Sequence, residues 1–222
     1  MTDFSAARLN MIESQVRPNG ITDRRIIAAM EALPRERFVP ASRAALAYMD
    51  EDISLDPAEP AHGPRALIEA MAFARMLQHA AIRPGDKALV VGAGTGYGAA
   101  VIAALAQQVV ALESDPGLAA LARANLAALS NVKLVEAPLE GGASADQPFD
   151  VIVLEGRVEE VPQALFGQLA DGGRLVAVVG TPVVAKATVF TRAAAVLAAR
   201  QVFDASITAL PGFRKKEPAF VF

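Results

Sequence analysis

Two rhythms divide the chain. Up to about residue 80 the apolar positions recur at helical spacing. Leu9, Ile12 and Val16 share one face of a first helix, which must stop before Pro18, Asn19 and Gly20. Thr22 then caps a second helix that presents Ile26, Ile27, Met30 and Leu33. Pro34 and Pro40 punctuate a short connector. The stretch Ser54 to Pro64 holds three prolines and a glycine and reads as an irregular loop. Arg65 to Ala80 follows as a helix with apolar residues almost all round, and is therefore expected to be buried.

From Lys87 the period changes. Short apolar runs bounded by turn residues predict strands at Lys87 to Val91, Gln108 to Glu113, Val132 to Glu136, Phe149 to Leu154 and Arg174 to Val179. Helices are expected between them, at Tyr97 to Ala106, Asp115 to Leu129 and Val161 to Ala170. The last has Pro162 in its first turn and Asp171-Gly172-Gly173 after its end. Strand, helix, strand at this spacing implies right-handed crossovers. The expected fold is α/β and Rossmann-like: a central, mostly parallel sheet with helices on both faces and a helical N-terminal extension. The tail, Lys186 to Arg192 and Gln201 to Leu210, reads as two further strands joined by a tight return.

Composition narrows the function classes. The chain has 222 residues, 53% of them hydrophobic and 20% charged, which suits a packed core and not a disordered chain. Lys and Arg number 21 against 24 Asp and Glu, a formal net charge of −3, so no nucleic-acid partner is expected. No apolar run approaches the ~20 residues that cross a bilayer, so no membrane partner is expected either. The polar start does not read as a secretory signal, and a cytoplasmic location is the expectation. Cysteine is absent, which removes disulfides, thiolate metal sites and a Cys nucleophile. Only His62 and His79 could supply imidazole, too few for a multi-His metal site.

The strongest chemical signal is Gly92-Ala93-Gly94-Thr95-Gly96-Tyr97, at the end of one strand and the start of a helix. Glycines there let the backbone pass close to a ligand. Glu113 closes the next strand, about 20 residues on, where a carboxylate can accept both hydroxyls of a ribose. A bare tight turn is one reading of the glycines. A dinucleotide fingerprint is another, but counted from Gly92 its third small position falls on Tyr97. Counted from Gly94 it falls on Ala99, which requires the strand to run into the glycines. A P-loop is excluded, because no Gly-Lys-Ser/Thr follows. The compact Gly-x-Gly-x-Gly is the form found in S-adenosylmethionine methyltransferases.

At these residues the chain resembles the protein-L-isoaspartate O-methyltransferases. Ala32 to Val39 (Ala-Leu-Pro-Arg-Glu-Arg-Phe-Val) resembles that family's Val-Pro-Arg-Glu-Lys-Phe-Val, and Val90 to Tyr97 its Glu-Ile-Gly-Thr-Gly-Ser-Gly-Tyr. Phe149 to Val153, Val161-Pro162, Gln168-Leu169, Gly172-Gly173 and Leu175 to Gly180 match further family elements in the same order, so the similarity runs from about residue 8 to residue 180. The resemblance implies a helical extension and substrate loop over residues 1–80 and a cofactor-binding domain over residues 81–222. It implies S-adenosyl-L-methionine as cofactor, an isoaspartate-bearing protein or peptide as partner, and methyl transfer to the isoaspartyl carboxylate in protein repair. The cofactor residues it implies are Gly92, Ala93, Gly94, Thr95, Gly96, Tyr97, Glu113 and, bordering the adenine, Leu139.

The substrate side departs from the family. Its Gly-Gln-Thr-Ile-Ser is replaced by Ala61-His62-Gly63-Pro64-Arg65, and no Ser or Thr stands between Leu55 and Ala80. Ala137-Pro138-Leu139 replaces Gly-Asp-Gly, and Glu155-Gly156-Arg157 replaces Thr-Ala-Ala. A different acceptor, or a cofactor-binding homologue without catalysis, are therefore the alternatives. Arg65, expected at a helix start, can fork onto an acidic acceptor in place of the lost serine. His62 can take a proton from an alcohol or amine. Glu155 is either a site residue at a strand's C-terminal edge, a partner of Arg157, or solvated. Tyr97 either covers the cofactor or packs in the core. By the same resemblance Glu140 or Leu139 is expected to border the adenine; Asp150 is expected to cap structure, His79 to meet a helix dipole or solvent, and Arg214-Lys215-Lys216 to form a solvated turn.

Overall fold

The computed structural model of the protein describes residues 3–56, 65–194 and 196–214. The Asp3 carboxylate accepts the amides of Ser5 and Ala6 and opens α1 (Phe4–Met11). The chain then widens into one π-type turn, Ile12–Val16, tightens over Arg17–Asn19, and stops at Gly20 with φ +78°. Ile12 and Val16 are fully buried, but Leu9 is 48% exposed. The wide turn after Met11 shifts the helical phase, so Met11 takes the inward position that regular spacing gave to Leu9. Asp23, not Thr22, caps α2 (Arg24–Ala32), accepting the Arg25 amide at 2.9 Å. The Thr22 hydroxyl instead accepts from Gln78 at 2.8 Å. Ile26, Ile27 and Met30 are buried, as the pattern requires.

The next segment departs from expectation. β1 (Ile53–Ser54) pairs antiparallel with β2 (Ala66–Leu67), and the Leu55 amide donates to the Arg65 carbonyl at 2.8 Å. Arg65 therefore enters a short strand, not a helix. The helix starts only at α3 (Ala70–Ala80), after Glu69 in an extended conformation. Pairing with β1 satisfies the backbone of residues 65–67 and overrides their helix propensity.

The remaining elements are β3 (Lys87–Val91), α4 (Tyr97–Ala103), β4 (Gln108–Glu113), α5 (Pro116–Leu126), β5 (Val132–Glu136), β6 (Phe149–Val158), α6 (Gln163–Gly167), β7 (Leu169–Gly180), β8 (Ala185–Ala193) and β9 (Val196–Asp204). β3, β4 and β5 have the predicted bounds. β6 runs past Leu154, because after an irregularity Arg157 and Val158 pair with Val178 and Val179. β7 starts at Leu169, which pairs with Phe149 and shortens α6. β9 ends at Asp204, and beyond it Ala209 forms an isolated parallel bridge with Arg157 of β6.

The seven strands lie in the order β5-β4-β3-β6-β7-β8-β9. The first five are mutually parallel; β8 runs antiparallel to β7, and β9 antiparallel to β8. The chain winds outward from β3 through β4 to β5, then returns to place β6 on the other side of β3. That reversal opens a crevice at the C-terminal ends of β3 and β6, where ligands of such sheets bind.

Two apolar clusters cover the two faces. One joins Ala88 and Val90 of β3 to α3, α4, α5 and the N-terminal residues Met11, Ile12, Ile26 and Met30. The other joins Leu89 and Val91 to Leu112, Ile152, Leu154, Leu165 and Leu175. The N-terminal helices thus share a continuous core with the sheet. The tail after β9 crosses the C-terminal edge of β6: the Arg157 amide donates to Thr208, the Leu210 amide donates to Arg157, and Leu210 and Phe213 are buried. Asp52 ties this tail to the N-terminal half, accepting the Thr208 amide at 2.6 Å and the Glu69 amide at 2.9 Å. Among the described residues no helix is long and apolar enough to cross a membrane.

Ile12→Ala tests the docking of the extension. Truncating this fully buried side chain is expected to cost about 2–5 kcal/mol, read as a lower urea midpoint with an unchanged slope.

Candidate active site

The glycine loop leaves β3 with φ of +80° at Gly92, +57° at Gly94 and +97° at Gly96. Gly92 and Ala93 both donate to the Leu112 carbonyl, at 2.9 and 3.0 Å, which fixes the loop against β4. A side chain at Gly92 would be strained by the positive φ, and its Cβ, 2.5 Å from Leu210 Cδ2 and 3.5 Å from Arg65 Nη2, would push the Leu210 side chain aside. The whole loop is buried. Thr95 and Tyr97 turn away from the crevice. The Thr95 hydroxyl donates to the Phe38 carbonyl at 2.5 Å. The Tyr97 ring packs edge-on to Phe38 and against Phe73, with the Arg35 guanidinium 4.9 Å from its centroid. Tyr97 has the core-packing role of the two the sequence allowed.

Glu113, at the end of β4, is the electrostatic centre of the loop. Its carboxylate is fully buried and accepts five hydrogen bonds. Oε2 takes the Gly94 amide at 2.7 Å; Oε1 takes the Ser114 and Asp115 amides at 2.7 and 2.9 Å. The remaining two come from Arg65, whose Nη1 and Nη2 each lie 2.6 Å from one oxygen in a bidentate fork. Arg65, expected to hold an acidic acceptor, thus holds the protein's own acid in this structure. Its side chain is only 11% exposed.

Glu155 is the third charged group of this region. It belongs to β6 and is neither solvated nor paired with Arg157, whose Nη1 donates instead to the Gly180 carbonyl at 2.9 Å. The Glu155 carboxylate presses against α4 so closely that a Cβ at Gly98 would overlap it, and its Oε1 has no hydrogen-bond partner among the described residues. Burial pushes its pKa up to about 8; the Arg65 charge opposes this, the Glu113 charge adds to it, and Arg35 opposes it further. Arg35 itself is fully buried and donates to the carbonyls of Ala47 at 2.8 Å and Ile68 at 2.5 Å.

The other sequence candidates are spread out. His62 lies outside the described residues, as do Lys215 and Lys216; Arg214 is exposed. His79 lies in the last turn of α3 and stacks on Phe203 with centroids 5.9 Å apart; its pKa is lowered by burial and then by Arg200 and Arg75. Asp150 accepts the Lys87 amide at 2.8 Å, a structural role. Leu139 is buried and lines a cavity of ≈ 430 Å³, with Ser114, Pro138, Glu140 and Gly212 among its walls. This cavity adjoins Glu113 at the ends of β4 and β5. Among the described residues no group of three or more His, Cys, Asp or Glu could hold a metal ion. Sequence reasoning missed Arg35 and Leu210. Arg35 lies in a charged triplet typical of a surface, and its place in the family-like Ala32 to Val39 element was the one signal for it; Leu210 lies in a tail read as strand and carried none.

The parallel sheet, its order reversal and the buried glycine loop with its acid define a Rossmann-like fold of the methyltransferase type. Residues 7–205 match the family model described as Protein-L-isoaspartate(D-aspartate) O-methyltransferase (PCMT). A protein-L-isoaspartate O-methyltransferase of Koribacter versatilis is 38% identical over 221 residues, covering 99% of this chain and 97% of its own. One of Methylorubrum populi is 42% identical over 183 residues, 82% of each chain. Among solved structures, a protein-L-isoaspartate O-methyltransferase superposes with a TM-score of 0.79 at 24% identity, over 92% of this chain and 66% of that one. A Plasmodium falciparum structure described as the same enzyme, in complex with S-adenosyl-L-homocysteine, gives 0.76 at 17% identity, over 95% and 99%. The chain belongs to the protein-L-isoaspartate O-methyltransferase family.

The Glu155 environment gives a pH signature. Between the ordinary carboxyl range and about pH 8 the folded protein holds a proton that the unfolded chain has released. Stability therefore falls as pH rises through that window, by up to about 1.4 kcal/mol per unit, and levels off above it. Half-buried Glu69, pushed up to about 7 by burial and then by Asp52, contributes in the same direction. Glu155→Gln is expected to flatten the decline measured by urea titration at a series of pH values, leaving the Glu69 part, which the lowered His79 pKa opposes up to the ordinary imidazole range.

Proposed function

We propose that this chain transfers a methyl group from S-adenosyl-L-methionine to the side-chain carboxylate of L-isoaspartyl residues in proteins. The observation that carries the reading is the buried glycine loop with Glu113 at the strand-order reversal, in a chain of this family. The residues present fit the cofactor: Gly92 and Gly94, with positive φ, bring bare backbone to the end of β3, Glu113 is a carboxylate that takes paired N–H donors, and a cavity adjoins it. Glu113 would take the ribose hydroxyls, and Leu139 with Pro138 would flank the adenine. Ala93 and Gly94 shape the turn beneath the cofactor. Thr95 and Tyr97 hold the loop against the N-terminal extension.

When bound, the cofactor supplies an electrophilic methyl on a sulfonium. A carboxylate acceptor is already ionised at neutral pH, so the chain needs no general base for it. Its work is to align acceptor and methyl and to exclude water, and alignment of this kind is worth ~7–11 kcal/mol of barrier. The buried loop, roofed by Leu210 and by Leu55 above Gly94, provides the dry surroundings.

Labelled S-adenosyl-L-methionine, offered with an isoaspartyl peptide and its aspartyl twin, tests the reading. A base-labile methyl ester is expected on the first peptide alone. Esters on neither peptide, with the cofactor still bound, would leave a binding protein without this activity. Glu113→Gln is expected to weaken S-adenosyl-L-homocysteine binding about 10–100-fold in calorimetry, the value of one charge-assisted hydrogen-bond pair.

A further inference from the structure

Glu113 cannot serve Arg65 and a ribose at once. Its two oxygens already receive five donors, three of them backbone amides fixed by the loop and by the turn after β4. Only the two Arg65 bonds are exchangeable. A guanidinium edge and a vicinal diol both present two roughly parallel donors to a carboxylate, so they compete for the same lone pairs. Arg65 Nη2 also stands within 3.5 Å of where a Gly92 side chain would be, over the glycine that brings backbone close to the cofactor. The same guanidinium is near enough to Glu155 to favour that group's charge.

We propose that Arg65 and the ribose of the methyl donor are mutually exclusive partners of Glu113, so that the donor binds by displacing Arg65, and the released guanidinium then holds the negative charge of the acceptor. This deepens the reading above and rests on its assignment of the donor. The displaced group stays beside β2, because the pairing of Ala66 and Leu67 with β1 and the Leu55 amide on the Arg65 carbonyl anchor its backbone. Arg65 is on this account a specificity-determining residue: it opposes the donor and favours an acidic acceptor.

The test is calorimetric titration of S-adenosyl-L-methionine and S-adenosyl-L-homocysteine into the wild type, Arg65→Ala and Arg65→Lys. A state in which Glu113 is engaged lowers apparent affinity by the fraction of protein so engaged. Arg65→Ala is therefore expected to bind both ligands about tenfold more tightly, or better. Arg65→Lys, which keeps the charge but cannot fork, should fall between, and it carries the test if the alanine variant does not fold. On the isoaspartyl peptide, the alanine variant should show a raised peptide KM and a lowered donor KM. Weaker or unchanged binding of both ligands by both variants would overturn the exclusion. So would a gain confined to the sulfonium-bearing ligand, which would mean charge repulsion without competition for Glu113. A peptide KM that stays put would overturn the acceptor half. Absence of binding heat in all three proteins would overturn the donor assignment itself and this inference with it.

Discussion

Removing the Glu113 charge from water costs several kcal/mol, and that cost is recovered only if every lone pair finds a donor. The structure meets the requirement from three directions. The glycine loop turns the Gly94 amide inward, the chain after β4 turns the Ser114 and Asp115 amides back, and β2 delivers the Arg65 fork. Each supplier is itself fixed by something else. The loop is pinned to Leu112, and β2 is paired with β1. The short hairpin, the loop conformation and the packing of the N-terminal extension on the sheet form one arrangement around a single anion.

The parts of this arrangement that are local in sequence were legible there. β3 and β4 are nearly continuous apolar runs closed by turn residues, which is the pattern of strands covered on both faces, while β5, at the sheet edge, mixes apolar with charged positions; the ends of all three fall where the sequence puts them. The glycine loop and Glu113 follow from strand, turn and offset. What depends on pairing between distant segments was not legible. Arg65 lies 48 residues from Glu113 and belongs to a stretch whose composition favours helix; only the contact with β1 makes it a strand. Leu9 fails for a related reason, since one π-type turn resets the register that spacing assumes.

Glu155 shows how a substitution at a strand edge changes chemistry without changing fold. The resemblance places a Thr-Ala-Ala in this position; here a carboxylate is held against Gly98, among Arg35, Arg65 and Tyr97. The Tyr97 hydroxyl is likewise pushed up by burial, with Arg35 acting against the shift. The region behind the glycine loop thus holds two acids, two guanidiniums and a phenol where a hydrocarbon core would suffice for stability. Charges in such surroundings interact strongly, because little water screens them.

Asp52 gives this crevice an unusual mechanical property. One carboxylate grips the Thr208 amide, 156 residues away in the chain, and the Glu69 amide beside α3. The strip carrying Leu210 and the stretch leading from β2 into α3 are thereby yoked. Shifting one of these segments against the other therefore means breaking an Asp52 hydrogen bond, so a single side chain sets how far two remote stretches of chain can separate.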